Sequence, residues 1–239
     1  MITHALVLAA GLGTRLRPLT LTRAKPAMPI GGEPLVRRII RWLALEHVRD
    51  VVVNLHYLPE TITRIVGDGS DLGVRVRYSW EQPRILGSAG GPRRALPIVG
   101  ASSFFIVNGD TLTDLALAPI AAAHASSQAL VTIALIPNRE PERYGGARLD
   151  ADGHVIGFAP RGEEAAGSYH VIGVQAAQAE AFAGLNDGEP VNSVRGLYEQ
   201  LIATKPGSIR GYVCAASFWD IGTPEDYAAT DAAFRNRSA

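Results

Sequence analysis

Short apolar runs alternate, along the first half of the chain, with stretches whose apolar residues recur every three or four positions. Residues 3–8 (THALVL) form a run suited to a buried strand. Leu35, Ile39, Ile40 and Leu43 fall on one face of a helix over 34–47. Residues 50–55 (DVVVNL) predict a strand, and 58–66 a helix ended by Gly67-Asp68-Gly69. Residues 74–78 alternate Val, Arg, Val, Arg, Tyr, the pattern of a strand nearer an edge. A short helix over 88–96 is entered through glycines, and 103–107 and 130–136 read as strands. Such alternation predicts a parallel doubly wound α/β sheet, with ligands beyond the carboxyl ends of its strands.

The second half is more mixed. Short strands are expected at 146–149, 154–158 and 169–175, around turns at 150–153 and 161–167. Helices are expected at 176–184 and 193–204, a last strand at 208–216, and a helix after Pro224. No linker separates the halves, so the chain reads as one domain with an inserted subregion.

Bulk properties narrow this picture. At 239 residues, 47% of them hydrophobic, the chain can bury an α/β core. Lys plus Arg and Asp plus Glu both number 23, so the formal charge is zero and no nucleic-acid surface is expected. The lone Cys214 excludes a disulfide framework within the chain and fits a reducing, cytoplasmic setting. Its surroundings, GYVCAAS, suggest a structural thiol in a strand. The N-terminus lacks a basic leader region, and no apolar run is long enough to span a membrane.

Candidate chemistry concentrates in residues 8–30, LAAGLGTRLRPLTLTRAKPAMPI. Gly11 and Gly13 follow the first strand and let backbone N–H groups approach an anion. Arg15 and Lys25 add countercharge, as a triphosphate requires. The glycines alone would equally make a tight turn. The Walker pattern is absent, and Leu16 stands where a dinucleotide motif needs its third glycine. Asp110 follows a strand and Asn108-Gly109, while Asp220 precedes Gly222-Thr223-Pro224, with Thr223 at the N-cap place and Pro224 at the first helical position. Each aspartate by itself is also compatible with a turn.

The string resembles the signature of the sugar-1-phosphate nucleotidylyltransferases, G-x-G-T-R-L-x-P-L-T followed by Lys-Pro and Met-Pro. Gly11, Gly13, Thr14, Arg15, Leu16, Pro18, Leu19, Thr20, Lys25, Pro26, Met28 and Pro29 match it. Glu81-Gln82 with Leu86-Gly87-Ser88-Ala89-Gly90 resembles the family's base-reading segment, with Ser88 in place of the common Thr. The resemblance runs to Tyr227 and implies a Rossmann-like, doubly wound, mostly parallel but mixed sheet of the nucleotide-diphospho-sugar transferase type. Residues 1–136 would be the nucleotide-binding half and 137–239 the sugar-phosphate-binding half, without the C-terminal β-helix of longer members.

The reaction implied is NTP plus sugar-1-phosphate giving NDP-sugar and pyrophosphate. Its nucleophile is already an anionic oxygen, so catalysis rests on positioning, cations and Mg2+. The resemblance assigns Arg15 and Lys25 to catalysis, and Leu8, Ala10, Gly11, Gly13, Thr14, Glu81, Gly87, Ser88 and Asn108 to the nucleotide. It assigns Asp110 and Asp220 to the metal, and Gly145 and Gly173 to the sugar. The family's F-x-E-K-P segment reads Phe158-Ala159-Pro160-Arg161-Gly162 here. Arg161 falls at the lysine that bridges the two phosphates, where it either supplies that charge or sits as a solvated loop residue. The chain looks most like short mannose- or heptose-1-phosphate guanylyltransferases, using GTP. The alternatives are a UTP-dependent N-acetylmuramate-1-phosphate uridylyltransferase and, in another class, a non-catalytic nucleotide-sugar sensor. A monomer or homodimer without membrane partners is expected.

Overall fold

Apolar side chains at every position of a strand need cover on both faces, and this requirement builds the molecule. In the computed structural model, which describes residues 1–237, β1 (His4–Leu8) lies inside the sheet. Val7 points into one core with helix α1 (Leu35–Leu45), and Leu6 into a second core on the opposite face. A two-residue ladder, β2 (Pro29–Ile30) with β3 (Glu33–Pro34), leads into α1. Then come β4 (Asp50–Leu55), α2 (Glu60–Val66), β5 (Arg75–Trp80), α3 (Gly87–Val99) and β6 (Ser103–Asn108). β4 and β6 flank β1 in parallel, and β5 is the edge strand beyond β4. This half matches the doubly wound expectation.

The second half departs from it. After β7 (Thr111–Thr113), α4 (Leu117–Ser126) and β8 (Val131–Pro137), the chain forms β9 (Gly146–Leu149), β10 (Val155–Ala159) and β11 (Tyr169–Gln178). β11 runs antiparallel to both β6 and β8, and β9 antiparallel to β10. The connections between these strands are too short for crossover helices, so the strands reverse direction. The remaining elements are α5 (Glu180–Ala183), α6 (Glu199–Thr204), β12 (Ile209–Val213), β13 (Phe218–Asp220) and α7 (Pro224–Arg237). The sheet is therefore mixed, in the order β10-β9-β11-β6-β1-β4-β5, with β8 joining β11 to β12.

Two expected helices changed. Residues 176–178 continue β11, because Ala176 pairs with Phe105 on one side and Thr132 on the other, leaving only Glu180–Ala183 helical. The expected helix at 193–204 begins as a wide turn, Ser193–Tyr198, broken at Arg195, before α6. The alanine-rich α4 was not foreseen. Cys214 follows β12 half-buried, its thiol donating to the Leu135 carbonyl at 3.4 Å, which fits a structural role. Among the described residues no helix is long and apolar enough to cross a membrane.

β11 carries an irregularity between Val171 and Gln175 that decides the role of Gly173. Gly173 adopts φ +78°, and a Cβ there would sit 2.8 Å from Thr111 Oγ1 and 2.9 Å from Asn108 Nδ2. The fold itself therefore requires glycine at this position. A left-handed non-glycine residue costs ~1–2 kcal/mol before any clash. Gly173→Ala should therefore lower the melting temperature by at least about 3 °C, read by calorimetry.

Candidate active site

Three parallel strands end level with one another: Leu8 pairs with Asn54 on β4 and with Asn108 on β6. The chain leaving β1 crosses these ends, and Ala9 N–H donates to Asn54 Oδ1 at 2.6 Å. Gly13 then turns with φ +61°. Its carbonyl accepts from Leu16 N–H at 3.0 Å and from the hydroxyl of buried Thr20 at 2.8 Å. Tyr57 in turn donates to the Thr20 carbonyl at 3.0 Å. Thr20, given no role by sequence reasoning, thus pins the loop. Gly11 faces open space, with no heavy atom within 4 Å of where its Cβ would stand. The loop borders a cavity of about 380 Å³, which is closed on other sides by Ile85–Ser88 and by Asn108–Asp110. Leu8, Ala10, Gly11, Gly13, Thr14, Arg15, Lys25, Gly87, Ser88, Asn108 and Asp110 all line it.

The charged groups converge on one side. Lys25 opens a tight turn, Lys25–Ala27, and is only 7% exposed. Its Nζ donates to Asp110 Oδ2 at 2.8 Å, which gives a buried ammonium the partner it needs. Asp110 is aimed by the parallel pairing of β6 with β1: Gly109 N–H donates to the Leu8 carbonyl at 2.9 Å, and any side chain at 109 would strike that oxygen. Asp220 arrives from the far end of the chain because β13 pairs antiparallel with β7, setting it opposite Thr111. Ile221 N–H also donates to the Asp110 carbonyl, at 3.3 Å.

Burial pushes the Asp220 carboxyl above its ordinary range, and the negative charge of Asp110 adds to the effect. Lys25 and Arg15 pull it the other way. Gly222 keeps this corner open, since a Cβ there would lie 2.9 Å from Asp220 Oδ2 and 3.3 Å from Arg15 Nη1. Thr223 caps α7, accepting from Asp226 N–H at 3.2 Å, so Asp220 is not needed for capping.

The segment from Glu81 to Gly90 is tied down from both sides. Glu81 is fully buried, and both of its oxygens are engaged: Oε1 accepts from Asn54 Nδ2 and Oε2 from Leu86 N–H, each at 2.6 Å. Its carboxylate thus braces the segment, and Glu81, with Asn54, also lines the cavity. Burial raises its pKa, and the two hydrogen bonds oppose that shift. A strap from the second half covers the start of α3. The Val191 carbonyl accepts from Ala89 N–H at 2.9 Å, and Ser193 N–H donates to Ser88 Oγ at 2.8 Å. A Cβ on Gly87 would lie 2.8 Å from the Val191 carbonyl oxygen, so this glycine is needed for the strap whatever else it touches.

On the other side of Asp220, sequence reasoning missed His170. Its ring lies 4.3 Å from that of Tyr144 and 4.8 Å from that of Phe218. The Tyr144 hydroxyl is pushed up to about 12, by burial first and then by the Asp220 charge. Arg143 pairs with Asp226 at 2.5 Å, fastening this region to α7. Gly145 is small because the Ala159 carbonyl passes 2.6 Å from where its Cβ would be. Arg161 is exposed, does not line the cavity, and makes no hydrogen bond or ion pair among the described residues.

Comparison with known proteins gives the chain's family and fold. The nucleotidyl transferase family model matches residues 4–236. The chain is 31% identical to a mannose-1-phosphate guanylyltransferase of Mycobacterium tuberculosis, over 95% of this chain and 64% of that one. It is 42% identical over 111 residues to an N-acetylmuramate alpha-1-phosphate uridylyltransferase of Neisseria meningitidis, covering 46% of this chain and 48% of that one. It is 31% identical to a D-glycero-alpha-D-manno-heptose 1-phosphate guanylyltransferase of Aneurinibacillus thermoaerophilus, over 94% and 95% of the two chains. The matches to the first two thus span less than two thirds of those proteins. HddC from Yersinia pseudotuberculosis shares the fold, with a TM-score of 0.84 at 24% identity over 98% of this chain and 100% of that one. With the signature, the sheet and the converging charges in agreement with a match along almost the whole chain, this protein belongs to the nucleotidyl transferase family.

Proposed function

We propose that the protein transfers a nucleotidyl group from an NTP to a sugar-1-phosphate, releasing pyrophosphate. The observation that carries this reading is the meeting of Arg15, Lys25, Asp110 and Asp220 beside a glycine loop whose Gly11 faces open space. An oxygen of the sugar phosphate attacks the α-phosphorus, and the bond to the β-phosphate oxygen breaks. No covalent side chain is needed. Gly11 and Gly13 lay backbone N–H groups along the triphosphate, and Arg15 and Lys25 hold the charge of the departing pyrophosphate.

Asp110 and Asp220 suit a divalent cation such as magnesium, because two crowded carboxylates are what a hard ion relieves. Such an ion would supply charge neutralisation at the reacting phosphates. The sugar side is proposed for the face of Tyr144, His170 and Phe218 next to Asp220, with Arg161 beyond Gly145 as the cation for the second phosphate. Only the Arg161 backbone is held next to Gly145, whose Cβ would lie 3.4 Å from the Arg161 amide nitrogen. A non-catalytic sensor would have no need of a paired lysine beside two carboxylates.

For substrates we propose GTP with mannose- or heptose-1-phosphate, in line with the relatives that match along nearly all of this chain. The stretch of 42% identity favours UTP with N-acetylmuramate-1-phosphate as the second reading. Four NTPs tested against these sugar phosphates, with pyrophosphate release as the readout, separate the two. No release with any pair would overturn the enzymatic reading.

Gly11→Val should fold normally, since the new side chain enters open space, yet lose NTP binding in calorimetry. Unchanged affinity would place the nucleotide elsewhere. Asp110→Asn and Asp220→Asn should each lower kcat by at least about a hundredfold. Asp220→Asn should also stabilise the metal-free protein. The carboxyl is raised in the folded state, so its ionised form opposes folding, and removing the charge raises the melting temperature at about pH 8. That gain should shrink as the pH falls through the raised folded-state value and vanish only below the ordinary aspartate value of 3.8, where the carboxyl is protonated in both states.

A further inference from the structure

We infer that Asn54 and Glu81 are positioning residues that hold the phosphate loop and the start of α3 at one fixed separation, so that a single nucleotide can span both. The inference rests on the reading that the nucleotide lies across this cavity. Three bonds of 2.6 Å make the link: Ala9 N–H to Asn54 Oδ1, Asn54 Nδ2 to Glu81 Oε1, and Leu86 N–H to Glu81 Oε2. Ala9 opens the loop after β1, and Leu86 immediately precedes Gly87 and α3.

The pair sits at the ends of neighbouring strands. Asn54 is in β4, Glu81 follows β5, and Glu81 N–H donates to the Leu55 carbonyl at 2.9 Å. Asn54 is 2% exposed and Glu81 not at all. The α3 backbone closes over them, since any side chain at Gly91 would strike both Glu81 Oε1 and Asn54 Nδ2. Glu81 makes no ion pair among the described residues, and burying such a carboxylate is costly. Packing alone would be served by an apolar side chain of similar volume. What the polar pair adds is a fixed hydrogen-bonded distance between two segments that are remote in sequence.

The bond pattern supplies its own test. In Asn54→Asp, two carboxylates face each other. In Glu81→Gln, an amide N–H points at another donor, on Asn54 or Leu86. In the double variant N54D/E81Q, the new carboxylate accepts from Ala9 N–H and from the new amide, whose oxygen accepts from Leu86 N–H. All three bonds return with their directions satisfied.

Calorimetry would measure binding of the four NTPs and of inorganic tripolyphosphate to each form, with magnesium present and no sugar phosphate. Each single variant should lose at least about tenfold in affinity for the NTP that the unaltered protein prefers, the worth of one buried bond to a charged group. Tripolyphosphate lacks the nucleoside that would reach the start of α3 and should be bound about as before, and the double variant should recover NTP affinity. Asn54→Ser breaks the link without adding charge, and should show the same split if Asn54→Asp does not fold. Equal loss of tripolyphosphate and NTP, no loss of NTP, or a double variant as weak as the singles would each overturn the inference. An unaltered protein that binds tripolyphosphate but none of the four NTPs would instead overturn the nucleotide reading, and the inference with it.

Discussion

The ion pair between Lys25 and Asp110 is the interaction on which the arrangement of the site depends. An ammonium that is 7% exposed is tolerable only with an anion in contact, and Asp110 Oδ2 supplies it at 2.8 Å. The pair therefore fixes the loop after β1 against the end of β6. It also sets the charge balance of the corner. Asp220 lies within the field of Asp110, and Lys25 with Arg15 keeps two carboxylates from facing each other unopposed. The same lysine that compensates a carboxylate in the free protein is within the cavity that the proposed triphosphate would occupy.

Around that pair, the sheet presents the ends of β4, β1 and β6 side by side, where backbone polar groups lose their ladder partners. The loose ends are satisfied locally on one side and by long reach on the other. Thr20 closes on Gly13 within the same loop. By contrast, the first N–H groups of α3 bond to the Val191 carbonyl, and Ser88 bonds to Ser193, a residue 105 positions away. The second half of the chain thus caps a helix whose start lines the cavity. A parallel strand end needs such outside partners, which is why this site is built from both halves.

Much of this was legible in the residues themselves. Apolar runs at 50–55 and 103–107 became strands with nearly those limits, because a fully buried strand requires apolar side chains on both faces. Thr223 and Pro224 announced the start of α7 because capping is a local matter of a hydroxyl and a fixed φ. The dense signature from Gly11 to Pro29 marked the loop, and Arg15 and Lys25 are found at the cavity it borders.

What the residues did not reveal depends on partners far along the chain. The residues around Glu81 did not show that its carboxylate would be held by Asn54 on the neighbouring strand and by Leu86 N–H. Nor did those around Gly173 show that the irregular pairing of β11 would bring Asn108 and Thr111 against it, so that only glycine fits there. Residues 176–178 have no strand signature of their own and are held in β11 by pairing on both sides. Local pattern, spacing and capping thus determined the strands, the helix starts and the identity of the charged groups, since each acts over a few residues. Sheet register alone decided which distant side chains meet, because a hydrogen bond depends on the separation of its atoms in space and not on their separation along the chain.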